Sequence, residues 1–403
     1  MIFYSLILVP IIALWLWWPL HRPARRAFWW ALTATMVLGA LPALLILAMR
    51  QTTLSYQVIA HLQVGSGLVL SAIVLSILLA LLRDLAWLLS WKAGWRRLAQ
   101  GLRQPLWTMA GAALALLVSA YGVLQALKVP EVRTQEITLP RLPAELDGLR
   151  VAVIADIHAS PVNNARYVQA LVDRTQAARP DLIVLPGDMV DGDVATQAAN
   201  IAPLAQLQAP YGVWFAPGNH EYYSGYNAWA KEFRRLGLHY LENQTERLQI
   251  RGRTLAVSGL GDPAYGRLSN QNDNPAVAEG LPPDIAAVQQ QAQGADVHLL
   301  LAHQPKPARD YALHGVDLQI AGHTHGGHIR GLDQLLIAPA NNGYVRGLYQ
   351  VGPMQLFVSS GAGLWAGFAV RLGVPSSIDL LVLRSPAATA KPRAPAGARA
   401  ATH

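Results

Sequence analysis

Five short segments of the chain carry side chains of the kinds that bind divalent metal ions. In chain order they are Asp156-Ile-His158, Gly187-Asp188, Gly218-Asn219-His220-Glu221, His303 and Gly322-His323-Thr-His325. They offer carboxylate, amide and imidazole donors but no thiol, because the chain contains no cysteine. This donor set suits Mn, Fe or Zn, with Mg possible, and excludes an iron–sulfur cluster or a Cys-type zinc site. The segments therefore predict a metal centre with more than one ion.

Four of the five segments directly follow a run of aliphatic or β-branched residues. Residues 151–155 precede Asp156, and residues 182–186 precede Gly187. Such runs are typical of buried strands. Because the carboxyl ends of neighbouring strands meet in one crevice of an open α/β sheet, donors that are far apart in the sequence are expected to converge there.

The region from residue 149 to 384 alternates apolar runs with helical stretches and becomes rich in strands in its second half. This order predicts an α/β domain with a mixed-sheet sandwich. The predicted strands are 150–155, 182–186, 212–216, 254–259, 297–302, 317–321 and 355–359. The predicted helices are 163–178, 195–206 and 226–236.

The five motifs, in this order, resemble those of the calcineurin-like dinuclear metallophosphoesterase family. The resemblance covers residues 149–384, includes every core motif, and points to a membrane-anchored subgroup with several N-terminal spans. It implies an αββα sandwich and a hydrolase that cleaves a phosphate mono- or diester. A hydroxide activated by two divalent metal ions would be the nucleophile.

The resemblance also implies which residues bind each metal. One ion would be held by Asp156, His158 and His325, and the other by Asn219, His303 and His323. Asp188 would bridge both, which fits the need for an anion between two cations about 3.5–4 Å apart. His220 would donate a proton to the leaving group or stabilise phosphoryl charge, and Glu221 would orient His220 or a ligand from behind.

Several residues near these motifs have less specific interpretations. Asp156 and His158 are expected to share a β-like face. His328 either contacts substrate or lines the rim, and the Gly-rich segment 359–365 either shapes the pocket or is a simple strand-end turn. Asp191 and Asp193 are expected on a solvated loop. Three further histidines are expected to be structural, namely His239, His298 and His314.

Four apolar stretches precede the α/β region, at residues 2–20, 28–49, 62–82 and 106–127. Each has about the 20 residues that cross a bilayer core. Tryptophans near their ends fit an interfacial aromatic belt, namely Trp15, Trp17, Trp18, Trp29, Trp30 and Trp107. We expect a four-helix transmembrane region at 1–127, a connector at 128–148, the metallophosphoesterase domain at 149–384 and a disordered tail at 385–403.

The net charge of +8 lies almost entirely in the N-terminal part. Residues 1–133 hold 11 Lys and Arg against two acids, whereas residues 134–403 hold 21 against 22. The second part therefore shows no basic footprint for nucleic acid, and none is expected as a partner. The basic loops after the first and third stretches predict that these loops are cytoplasmic, so the catalytic domain faces the extracytoplasmic side of a cell or inner membrane.

The function predicted from these observations is hydrolysis of a phosphate ester by a membrane-anchored enzyme. Four spans exceed what anchoring needs, which favours a lipid-borne substrate such as a phospholipid or a lipid-linked sugar phosphate. A nuclease or nucleotide phosphodiesterase would use the same metal site but should show a basic groove. A non-catalytic membrane sensor on a phosphatase scaffold should have lost ligands, and none is lost here.

Overall fold

A computed structural model of the protein describes residues 2–51, 55–265, 280–365 and 368–386. Its N-terminal part consists of helices. They are α1 (Ile2–Trp17), α2 (Arg25–Gln51), α3 (Tyr56–Lys92), α4 (Arg96–Leu102) and α5 (Pro105–Ala126). Each of the four predicted apolar stretches thus coincides with a helix.

Two of these helices are long and apolar enough to cross a membrane, at Val64–Lys92 within α3 and at Pro105–Ala126. Most of their surface is not covered by other parts of the protein, as expected for helices that face lipid. It remains a prediction that the first and second stretches span a membrane, since part of α1 and of α2 lies outside the residues whose side chains are described.

The first sheet combines strands from the first half of the α/β domain with its last strand and with one strand of the connector. Its order is β1 (Val132–Thr138), β12 (Ile378–Arg384), β2 (Arg150–Val153), β3 (Leu182–Pro186), β4 (Val213–Ala216) and β5 (His239–Tyr240). Strands β2 to β5 are parallel, and β12 runs antiparallel to β2. Consequently β2, β3 and β4 end at the same edge.

The second sheet has the order β10 (Gly347–Val351), β11 (Met354–Val358), β9 (Leu318–Ala321), β8 (Val297–Leu301), β7 (Arg253–Gly259) and β6 (Gln244–Ile250). Its four central strands are parallel, and an antiparallel strand closes each side. The mixed-sheet prediction is therefore confirmed.

The two sheets pack face to face, with helices on their outer faces. Alternate residues of each central strand enter different cores, as the two-residue period of a strand requires. Val151 and Leu299 lie in the core between the sheets, whereas Ala152 and Leu300 lie in the two outer cores. The helices are α6 (Ala165–Ala177), α7 (Val194–Ile201), α8 (Asn219–Tyr223), α9 (Tyr226–Arg235), α10 (Ile285–Ala292), α11 (Ala308–Tyr311) and α12 (Ala338–Ala340).

The predicted elements match the structure closely, while several further elements were not predicted. All seven predicted strands are confirmed to within two residues at either end, and the three predicted helices correspond to α6, α7 with a following 3-10 turn, and α9. The connector at 128–148 contains one strand and a short 3-10 turn at Ala144–Leu146. The strand is β1, which pairs in parallel with β12. That segment is therefore part of the first sheet and not a free link. The predicted tail lies outside the described residues from 387 onward.

The helices and the α/β domain meet at a segment that precedes β12. Gly67 of α3 approaches Ala369, and a side chain at position 67 would lie 2.7 Å from the Ala369 nitrogen. Gly122 of α5 approaches Val370 in the same way, at 2.8 Å. The Arg371 amide donates a hydrogen bond of 3.0 Å to the Gly122 oxygen. Glycine at 67 and 122 thus allows the domain to pack directly on α3 and α5.

Candidate metal centre

The predicted ligands lie at the carboxyl ends of parallel strands from both sheets. Asp156, Asp188 and Asn219 follow β2, β3 and β4, respectively. His303 follows β8, and His323 follows β9. The structure therefore brings these residues together where the corresponding edges of the two sheets meet, as the strand-end argument predicts.

A first cluster consists of Asp156, His158 and His325, all buried, with ligand atoms within 4.8 Å of one another. The His158 Nε2 and His325 Nε2 atoms face each other at 3.1 Å. Asp156 Oδ1 lies 3.8 Å from His325 Nε2. Two ring nitrogens and a carboxylate around one point form a set that can bind a divalent cation.

A second cluster consists of Asp188, His303 and His323. Asp188 Oδ2 lies 3.0 Å from His303 Nε2. The Asn219 Oδ1 atom lies 3.0 Å from His323 Nδ1, so the predicted amide ligand is beside this cluster as well. His303 Nδ1 donates to the Pro186 oxygen at 2.7 Å, so Nε2 is the ring nitrogen directed at the site.

Asp188 lies between the two clusters. Its Oδ2 is within 4 Å of His303 Nε2 and also 3.8 Å from His158 Nε2 of the first cluster. Its Oδ1 accepts a 2.8 Å hydrogen bond from the His220 amide. Glycines at 187 and 218 make this approach possible, because a side chain at 187 would lie 2.6 Å from the Gly218 Cα. Asp188 is thus placed where a bridging carboxylate would have to be.

The backbone around the clusters is strained in a way the sequence did not reveal. Ten non-glycine residues among those described have positive φ, and six of them lie here. The expectation that Asp156 and His158 share a β-like face is wrong, since their φ angles are 53° and 48°. Such conformations cost energy and persist where the surrounding structure enforces them. The six are Asp156, His158, Asp188, His323, His325 and His328.

The surroundings of the candidate ligands shift their pKa values in ways that differ from one residue to the next. Burial raises the pKa of Asp156, which reflects the cost of holding its charge without a cation. Burial and neighbouring positive groups lower the pKa of His325, and burial together with His303 lowers that of His323 to about 4. Both imidazoles are therefore neutral and available as ligands at neutral pH.

One buried ligand atom at the site, Asp156 Oδ2, has no hydrogen-bond partner among the described residues. Buried polar groups are normally paired, so unpaired donor atoms that point into a cluster of imidazoles and carboxylates require a partner. A divalent cation would satisfy Asp156 Oδ2. The residues present therefore fit a metal centre.

Asp191 belongs to this site, and its predicted place on a solvated loop is wrong. Its Oδ1 lies 2.9 Å from His158 Nδ1 and 2.6 Å from His220 Nδ1. Burial opposes the charge of His220, but Asp188 and Asp191 outweigh it and raise the pKa of His220 to about 9. Asp193, by contrast, is exposed and caps α7 through the Thr196 amide. The position of Asp191 three residues after Asp188 was the available signal.

Glu221 supports the Asp188 turn and not the ring of His220. Its carboxylate accepts hydrogen bonds from the amides of Gly218, Asp188 and Met189 at 2.7, 2.9 and 2.7 Å. Burial and Asp188 raise its pKa to about 7. Glu221 therefore joins the loops after β3 and β4 into one unit.

His328 is buried behind His325 and does not line the rim. Its ring stacks on His325 with 5.2 Å between centroids, and its Nδ1 lies 3.2 Å from the Val370 oxygen. The Gly-rich segment 359–365 packs against the Asp156 loop, where the Gly363 amide donates to the Asp156 oxygen at 2.9 Å. That segment therefore shapes the floor of the site.

Arg371 is a further residue of the site that the sequence did not indicate. Its guanidinium is buried and donates to the main-chain oxygens of His325, Ser360 and Gly363 at 2.8, 2.7 and 3.1 Å. A lone basic residue within an apolar stretch after a Gly-rich turn was the only available hint.

The three histidines expected to be structural lie outside both clusters; His298, for example, is buried against Ser258 Oγ at 2.7 Å.

Comparison with known proteins supports the same kind of site. The family model described as calcineurin-like phosphoesterase matches residues 149–327. A protein of Campylobacter jejuni named an uncharacterized metallophosphoesterase is 32% identical over 262 residues, 64% of each chain. A Bos taurus protein named transmembrane protein with metallophosphoesterase domain is 30% identical over 289 residues, 68% of this chain and 62% of its own. The chain thus spans less than two thirds of these relatives.

Among solved structures, a 5′-nucleotidase precursor from Thermus thermophilus is similar, with 17% identity and a TM-score of 0.37. The match covers 58% of this chain and 54% of that one. The family match and the sequence relatives support a calcineurin-like phosphoesterase domain at residues 149–327, and two helices of the chain are long and apolar enough to cross a membrane.

Proposed function

We propose, on the premise that this chain is a member of the calcineurin-like metallophosphoesterase family, that it hydrolyses a phosphate mono- or diester at a centre of two divalent metal ions. The observation that carries the proposal is the position of Asp188 between the two clusters of ligand atoms. Asp156, His158 and His325 would hold one ion, and Asn219, His303 and His323 the other. The metals would be Mn, Fe or Zn, with Mg possible.

Two bound divalent ions would supply positive charge to the phosphoryl oxygens and lower the pKa of solvent water. The chain's own residues would position the reactants. His220 is part-exposed at the mouth of the site, and its Nδ1 is held by Asp191. The Nε2 atom is therefore the one left to protonate the leaving oxygen. Glu221 and Asp191 fix the loops that carry Asp188, His158 and His220.

We further propose that the substrate is lipid-borne and that the catalytic domain faces the extracytoplasmic side. Support comes from the packing of the domain directly on α3 and α5, whereas one helix would suffice for anchoring. The basic loops predict the orientation. The near-neutral charge of residues 134–403 argues against a nuclease. Retention of the complete donor set argues against a non-catalytic sensor.

The proposal is tested with purified full-length protein by elemental analysis and by Mn²⁺-dependent turnover of a bis-aryl phosphodiester. We expect two metal ions per chain. Asp188→Asn should lose metal and activity, whereas His220→Ala should retain metal and lose at least about 100-fold in turnover. Undiminished turnover by protein with one ion or none would refute the two-metal centre.

A further inference from the structure

The loop that follows the last histidines of the metal site exposes two adjacent leucines. Leu335 is 70% exposed and Leu336 is 61% exposed. Both leucines lie on the π-helical turn Asp333–Ile337. The apolar residues that flank the pair, Leu332 and Ile337, are only half-buried. An exposed apolar group of this kind marks a surface that contacts a membrane or another protein. We define residues 332–337 as the apolar loop.

Hydrogen bonds and an ion pair fix the base of the apolar loop, so its leucines are held in an exposed position. Asp333 is buried and accepts hydrogen bonds from the Gly331 and Gln334 amides at 2.7 and 2.9 Å. It also pairs with Arg346, whose Nη1 donates to the Gly326 oxygen at 2.7 Å. Gly326 directly follows His325. The apolar loop and the metal-site loop are therefore held together by one ion pair.

The apolar loop lies at the ends of the membrane helices. Leu332 packs against a buried cluster of Val123, Ile329 and Val370. Val64 and Leu68 of α3 pack against the same cluster. Val64 lies in the N-terminal part of α3, and Val123 lies in the last turn of α5, so this cluster lies near the same end of both apolar helices.

We propose that the apolar loop is a membrane-docking surface whose leucines enter the interfacial layer of the bilayer beside α3 and α5. Its partner is the lipid bilayer, because Leu332 of the loop packs on the same cluster as the two helices that are long and apolar enough to cross a membrane. Arg330, exposed at the base of the loop, suits the headgroup level. Since His323, His325 and His328 precede the loop directly, this contact would place the mouth of the metal site at the membrane surface.

The absence of cysteine from the sequence makes a direct test possible. Leu336→Cys in the full-length protein is labelled with a nitroxide and placed in nanodiscs of phosphatidylcholine and phosphatidylglycerol. Leu313→Cys is the matched control, because Leu313 is 79% exposed on a turn beside α10. We expect the label at 336 to be more accessible to oxygen than to a water-soluble nickel complex, with the opposite result at 313.

Two results would overturn the proposal. One is a label at 336 with the same nickel accessibility as the label at 313. The other is spin–spin broadening at 336, which would show that a second copy of the chain covers the loop. A variant that does not fold is detected by its melting transition, and Leu335→Cys then repeats the measurement at the neighbouring position.

A second experiment rests on the proposed function. In the double variant Leu335→Gln, Leu336→Gln, turnover of a dialkylglycerol aryl phosphodiester in the nanodisc should fall about tenfold, since burial of two leucines is lost. Turnover of a soluble bis-aryl phosphodiester should stay within about twofold. Equal loss on both substrates would contradict the docking role. If the unaltered protein cleaves neither substrate, the proposed function fails, whereas the nitroxide result still decides the docking surface.

Discussion

The guanidinium of Arg371 is hydrogen-bonded to the main-chain oxygen of His325 at 2.8 Å, with a second nitrogen 3.3 Å from His325 Nδ1. The amide of the same Arg371 donates to the Gly122 oxygen of α5. One buried residue thus joins helix α5 to a histidine of the candidate metal site. The support behind a metal ligand commonly controls its orientation and affinity.

Arg371→Lys should weaken metal binding even though it keeps the positive charge. A lysine ammonium cannot reproduce the planar fork that reaches three main-chain oxygens. We expect metal affinity to fall about 10- to 100-fold, as for other groups that orient a ligand. Titration of the metal-free protein with Mn²⁺, followed by electron paramagnetic resonance, measures this directly. Unchanged affinity together with a lower melting temperature would show that Arg371 only stabilises the fold.

Gly67→Val should disturb the metal site through the membrane helices, whereas Gly65→Val should not. A side chain at 67 would meet the Ala369 nitrogen at 2.7 Å and the Ala369 Cβ at 2.9 Å. At position 65 of the same helix, no atom of the described residues outside the helix's own adjoining backbone lies within 4 Å of an added Cβ. We expect Gly67→Val alone to reduce metal affinity, by about tenfold. The metal affinities of the two variants are compared by Mn²⁺ titration. Equal affinities would argue against mechanical coupling between α3 and the metal site.

Asp191→Asn should reduce turnover about 10- to 100-fold, because it removes the carboxylate that orients both His158 and His220. Asp193→Asn is the matched control, since Asp193 is exposed and asparagine caps a helix as well as aspartate does. Its turnover should remain within about twofold of the unaltered protein. Equal effects of the two substitutions on kcat would show that the loop, and not the Asp191 carboxylate, matters.

His298 should make folding stability depend on pH. Burial lowers its pKa to about 4, so the folded state keeps it neutral while the unfolded state binds a proton below its ordinary pKa of 6.5. This stabilisation is complete above pH 6.5 and is lost as the pH falls towards 4. Between pH 7.5 and 5 the protein should lose about 2 kcal/mol through this residue.

The check is His298→Gln, whose amide can still bond to Ser258 but does not titrate. Denaturant unfolding at both pH values gives the free energy of unfolding of each protein. The variant should lose less stability than the unaltered protein over this range. Parallel losses in the two proteins would assign the pH dependence to other groups.

The sequence by itself determined the candidate donors of the proposed metal site and the strands that carry them. Hydrophobic runs ending at Asp156, Asp188 and His303 are local patterns, and a strand's length and alternation follow from nearest neighbours. The apolar helices could be predicted equally well, because a run of apolar residues long enough to cross a bilayer is visible in the sequence itself.

Tertiary structure alone decided which groups support those donors. Asp191 reaches His158 only because the loops after β2 and β3 lie side by side, and Arg371 reaches His325 only because the chain returns past α5 before entering β12. The positive φ angles of Asp156 and Asp188 are likewise imposed by loops that pack against them from distant positions. Contacts of this kind depend on which segments meet in space, and local propensity carries no information about that pairing.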